Sequence, residues 1–185
     1  MVNTIRKALG FLLLPGQQQE SFPEVPCRQE GVVCRASALR GYSNKDTSSQ
    51  FMLLKGHDEA DVIRHLRDVV VEHERPPKSG TYEDGLNVVV FRGVYGSGGY
   101  SLEVTGVSLE GRVLHVNCDY EDPGDGIRTT AGFTQPTAII PLKRLPPGKY
   151  TAQLNVRQYR RSSQGIAEQG NIRRAAEFSF KIKPA

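Results

Sequence analysis

Phe91-Arg92-Gly93-Val94-Tyr95-Gly96-Ser97-Gly98-Gly99-Tyr100-Ser101-Leu102-Glu103-Val104 joins two apolar runs, Leu86 to Val94 and Tyr100 to Val107. A glycine-rich loop that holds phosphate needs a helix behind it, so that free backbone N–H groups face the anion. Here Tyr100, Leu102 and Val104 alternate with Ser101, Glu103 and Thr105, the two-residue period of a half-buried strand. No Lys-Ser or Lys-Thr pair closes the loop. The glycines therefore mark a bend in a β-protein, and the rest of the chain must be read from that frame.

Working outward, Val88-Val89-Val90-Phe91 reads as a central strand. Ser108-Leu109-Glu110-Gly111 signals a tight hairpin between Tyr100–Val107 and Val113–Tyr120. Further strands are predicted over Gly31–Leu39, Gln50–Leu54, Ala138–Ile140 (broken by Pro141), Tyr150–Val156 and Phe178–Ile182. One helix is predicted over 58–74. Asp58 caps it, Glu59 and Asp61 suit its N-terminal dipole, and Val62, Ile63, Leu66, Val69 and Val70 form one apolar stripe. Pro76-Pro77 stops it. These elements predict a mainly β (α+β) protein: an antiparallel β-sandwich, immunoglobulin-like, with the single amphipathic helix over one edge or end. Residues 1–30 read as an irregular N-terminal extension and 31–185 as a single domain.

Composition bounds the function classes. The 185 residues contain 19 Gly, 11 Pro and no Trp, which favours many turns over a helix bundle. The net charge of +4 is uneven: Pro141–Ala185 holds ten Lys or Arg against two Glu, so the rest is acidic on balance. Arg157, Tyr159 and Arg161 share one strand face, and Arg160, Arg173 and Arg174 extend the basic hairpin. Arginines flanking an aromatic suit phosphates and base stacking, so polyanion or nucleic-acid binding is the alternative reading.

Chemistry-bearing motifs are sparse. His57, His65, His73 and His115 show no i, i+4 ligand pair, and Ser97 lacks the strand-to-helix elbow of a hydrolase nucleophile. No catalytic residue, cofactor or metal is expected. Asp119-Tyr120-Glu121-Asp122-Pro123-Gly124-Asp125-Gly126 has oxygen donors enough for calcium but lacks the spaced glutamate of an EF-hand loop. Cys27 and Cys34 are spaced for either a disulfide or two thiols, while Cys118 falls at an inward strand position. Arg6 and Lys7 before a short apolar run resemble a truncated signal peptide without an Ala-x-Ala site, and the run equally suits a strand or short helix docked on the core; the signal reading favours the cell envelope or export over the cytoplasm.

Two segments together resemble the C-terminal domain of the protease-complex subunit PrcB family. Gly96-Ser97-Gly98-Gly99-Tyr100-Ser101-Leu102-Glu103-Val104 is similar to that family's Thr-Gly-Gly-Tyr motif, with Ser97-Gly98 departing from its threonine. Pro123-Gly124, Thr130-Ala131-Gly132-Phe133-Thr134-Gln135-Pro136 and Ala138-Ile139-Ile140-Pro141-Leu142 follow its turn, small-and-threonine segment and last apolar strand. The resemblance spans Val88 to Lys149. It implies a non-enzymatic, mostly β domain of exported or envelope proteins, in some cases an accessory subunit of a protease. A protein partner would then meet Tyr95, Ser97, Gly98, Gly99 and Tyr100. The same loop is a weaker echo of chagasin-type cysteine-protease inhibitors, whose Arg-Pro-Trp loop has no counterpart here.

Overall fold

Leu86–Phe91 is apolar on both faces but for Asn87, and all six of its residues are buried. Such a run needs a partner layer on each side. In the computed structural model, which describes residues 32–34, 49–142, 145–162 and 167–184, both layers are present.

In chain order the strands are β1 (Val32–Cys34), β2 (Gln50–Lys55), β3 (Ser79–Gly80), β4 (Leu86–Phe91), β5 (Tyr95–Ser97), β6 (Ser101–Glu110), β7 (Val113–Pro123), β8 (Ala131–Thr134), β9 (Thr137–Pro141), β10 (Gly148–Arg161) and β11 (Ala167–Ile182). Helix α1 (Glu59–Val70) lies between β2 and β3. One sheet has the order β1-β9-β4-β2 and a second β3-β11-β10-β7-β6; β5 and β8 form a separate two-stranded ribbon. The mainly β sandwich expected from the sequence is therefore present.

The two larger sheets face each other over one core. Val88, Val90, Ala138 and Ile140 from the first meet Leu114, Val116, Leu154, Val156, Phe180 and Ile182 from the second. Cys118 belongs to this core, where burial pushes its thiol up to about 12 and keeps it protonated at neutral pH. Its side chain is a small core hydrophobe.

The opposite side of β4, through Val89 and Phe91, packs with Met52 and Leu54 against Val62, Leu66 and Val70 of α1. Burying each of these helix side chains is worth about 1.5–3 kcal/mol. The helix thus covers the outer face of the four-stranded sheet, not an edge or end, because the double-sided β4 stripe must be closed there. Asp58 caps it as predicted, accepting from the Asp61 N–H at 2.9 Å. The helix ends at Val70, earlier than residue 74. His73 adopts a left-handed φ of 57°, and the Glu74 N–H turns back to the Asp68 carbonyl at 3.1 Å.

Three other expectations shift. The β6–β7 hairpin turns at Gly111-Arg112, sharing only Gly111 with the expected Ser108–Gly111 turn, and Gly111 supplies a φ of 58°. Pro141 does not break its strand but ends β9, paired opposite Asn87. Not every pairing is antiparallel: β7 runs parallel to β10, and β11 parallel to β3. The chain leaves β7, crosses to the other sheet as β9, and returns as β10 in its starting direction. The Cys27–Cys34 alternatives, the extension 1–30 and its signal-like run lie outside the described residues, except for the Cys34 backbone in β1. Among the described residues, no helix is long and apolar enough to cross a membrane.

A glycine loop seated on a buried arginine

β4 runs out at Phe91, and the next residue organises the loop. Arg92 is only 4% exposed. Its backbone N–H donates to the Pro136 carbonyl at 2.9 Å, which ties the loop's start to the approach to β9. Its Nη1 donates to the carbonyls of Ser101 and Glu121, both at 2.7 Å, and its Nη2 donates to the Asp122 carboxylate. Three tyrosine rings surround the guanidinium, with centroids at 4.6 Å (Tyr120), 5.2 Å (Tyr95) and 5.6 Å (Tyr100). A planar cation with a fork of donors can meet in-plane carbonyls and ring faces at once, which an ammonium cannot. Sequence reasoning passed over Arg92. The one available signal was a charged residue directly after a continuous apolar strand.

The loop's tyrosines are part of this seat. Tyr95 and Tyr100 stack at 3.9 Å between centroids, with planes 15° apart. Both are half-buried, so Tyr100 faces neither fully inward nor fully outward. Burial raises the Tyr95 phenol above its ordinary value, against the opposing pull of the Arg92 charge. Burial likewise raises Tyr120.

β5 then pairs with β8, Tyr95 opposite Thr134 and Ser97 opposite Ala131, with a bulge between. Thr134 Oγ1 donates to the Ser97 carbonyl at 2.9 Å, and the Gly98 N–H to the Thr130 carbonyl at 2.9 Å. Gly98 is buried against Thr130, where a Cβ would collide with Oγ1. Gly99 has a φ of 89°, strained for any other residue. These contacts hold β5 against β8 across the bulge. Gly96 and Gly132 face open space, and Phe133, 65% exposed, is the exposed large hydrophobic side chain of the described residues.

Of the five predicted contact residues, Gly99 is exposed, Ser97 half-buried and Gly98 buried, while Tyr95 and Tyr100 act as supports. Beside them Gly99, Tyr100, Glu121, Arg128, Thr130 and Arg161 border a cavity of about 340 Å³.

The parallel β7–β10 register brings the acidic turn against the basic hairpin. Arg157 sits opposite Asp119 and donates to both its oxygens, at 3.0 and 2.7 Å. That bidentate contact raises the Arg157 pKa further. Arg161 pairs with Glu121 at 2.5 Å and Arg160 with Asp125 at 2.7 Å. Gln158 Nε2 donates to Asp122 at 2.5 Å. Arg174 approaches Glu177 at 3.6 Å, and Tyr159 lies 5.1 Å under the Arg157 guanidinium. The carboxylates considered for calcium are thus engaged by protein cations. His65 Nδ1 contacts the Lys55 carbonyl at 2.7 Å and His115 approaches Glu110 at 3.6 Å.

This arrangement of loop, ribbon and apolar strand is the part of the chain that is similar to a known family. Residues 86–143 match the PrcB C-terminal family model. The PrcB-like segment covers β4 to β9 and about a third of the chain, ending before β10; it contains Arg92, the glycine loop, β8 and Phe133. No curated protein and no solved structure matches the chain.

Proposed function

We propose that this protein is a non-enzymatic accessory subunit that docks on a protein partner, a component of a protease complex, through the β5–β8 ribbon and the glycine loop. The single observation that carries the reading is the placement of Phe133. An exposed phenylalanine stands on a ribbon held by a buried arginine, within the segment that matches PrcB C-terminal. An aromatic on a rigid support supplies contact area at small entropic cost. Ser97, Gly98 and Gly99 shape the adjoining surface, and Tyr95 and Tyr100 support it from beneath. An inhibitor of the chagasin type would need a loop side chain free to enter a cleft, and Tyr100 is instead stacked on Tyr95. Polyanion binding by the hairpin is weakened because Arg157, Arg160 and Arg161 already meet carboxylates.

The test is affinity capture from the source organism with quantitative mass spectrometry. Wild-type protein recovers a protease-complex subunit. Phe133→Ser and Gly99→Asp each lower its recovery, with an affinity loss of about 30-fold for a central aromatic anchor. Unchanged recovery by both variants overturns the reading.

A further inference from the structure

The opposite end of the five-stranded sheet carries cations of a different kind. β10 begins and β11 finishes there, in a register that sets Lys149 directly opposite Lys181, both exposed. Like charges facing each other across an antiparallel pair repel, so this pairing costs stability in the free protein. The Lys181 N–H donates to the Lys78 carbonyl at 2.9 Å, bringing a third ammonium-bearing residue alongside.

Arg112 completes the group from the β6–β7 turn. Its guanidinium lies 4.9 Å from the centroid of the Tyr150 ring, and Nη1 donates to the Pro147 carbonyl at 3.3 Å. It lies against Gly148, where a Cβ would collide with Nη1, so the glycine clears its seat. These four cations border a cavity of about 520 Å³ whose lining, among the described residues, contains no aspartate or glutamate. Thr151 and Ser179 add two hydroxyls, 3.5 Å apart.

We propose that this cavity binds a ligand bearing phosphate or sulfate groups. Lys149 and Lys181 clasp the oxyanion, Arg112 supplies a planar donor fork already held in place, and Thr151 and Ser179 offer hydroxyl donors. A multiply charged tetrahedral anion between the two lysines turns their repulsion into attraction, and charge-assisted bonds to its oxygens are the strong class. The cavity has room for a compact diphosphate.

Pyrophosphate and sulfate titrated separately into the full chain, at matched ionic strength and followed calorimetrically, test the site. Saturable one-to-one binding is expected for at least one probe, and which probe binds identifies the oxyanion class. Lys149→Gln/Lys181→Gln loses roughly ten-fold or more in affinity, as two charge-assisted contacts disappear. The thermal midpoint of that ligand-free variant does not fall, which separates lost binding from lost folding. Arg160→Ala/Arg161→Ala, at the other end of the sheet, binds as wild type. The proposal is overturned by the absence of saturable binding to either probe. Wild-type affinity in the lysine variant, or loss confined to the arginine variant, overturns it equally.

Discussion

The two ends of the five-stranded sheet differ in what stands opposite their basic side chains. At the glycine-loop end Arg92, Arg157, Arg160 and Arg161 meet Asp122, Asp119, Asp125 and Glu121. At the other end Lys149 faces Lys181, with Lys78 and Arg112 beside them and no carboxylate in the lining among the described residues. The first arrangement spends its charges on holding a loop and a strand pair. The second leaves a positive field for something outside the chain. Local basic content is thus a poor guide to a binding face, since strand register decides whether a cation is already satisfied.

The comparison breaks first at Arg92. Replacing it with Met leaves the Ser101 and Glu121 carbonyls and the Asp122 carboxylate without their shared donor, and costs about 3 kcal/mol, the range for breaking a buried charge pair. Urea unfolding should show the lower midpoint, and amide exchange at Tyr95 to Gly99 should accelerate. A cost well under about 1 kcal/mol would mean that the arginine is not the seat of the loop.

A middle-sized effect is expected at Asp119, which is half-buried along with Arg157. Asp119→Asn weakens the bidentate contact and should cost about 1–2 kcal/mol. Combined with Arg157→Gln, the loss should be smaller than the sum of the single losses, and strict additivity would show the two to be energetically independent.

The smallest effects should differ in sign between the ends. Arg160→Ala, in a pair whose side chains are 56% and 92% exposed, should stay within about 0.5 kcal/mol of wild type. Lys149→Gln should raise stability by a few tenths of a kcal/mol at low salt, since it relieves the cross-strand repulsion. That gain should fade at high ionic strength, as screening shortens the reach of the charges. A destabilised Lys149→Gln would mean that the lysine pair is not under repulsion.

Much of the fold was legible because its signals are local. The period of two around Leu102 and Val104 placed β6, and the doubly apolar run at Val88–Phe91 placed β4 at the centre. Asp58 and the Val62, Leu66, Val70 stripe placed α1, though not the sheet face it covers. The ribbon strands β5 and β8 escaped strand assignment because each is short, rich in Gly, Ser and Thr, and stabilised by its pairing more than by its own propensity. The glycine loop was legible as a bend between strands. Its anchor was not, because nothing adjacent to Arg92 in sequence reveals that Tyr120 and Asp122 converge on it.

The sequence by itself determined the β-rich class, the helix and its cap, the bend at Gly96–Tyr100 and the resemblance carried by that bend. Each depends on residues within a few positions of one another. Only the tertiary structure decided that Asp119 neutralises Arg157, that Lys149 confronts Lys181, and that Arg92 is buried beneath the loop. Those outcomes follow from which strands lie side by side and in what register. A parallel partner reached through the other sheet is chosen by burial of the whole core, and no local pattern encodes it.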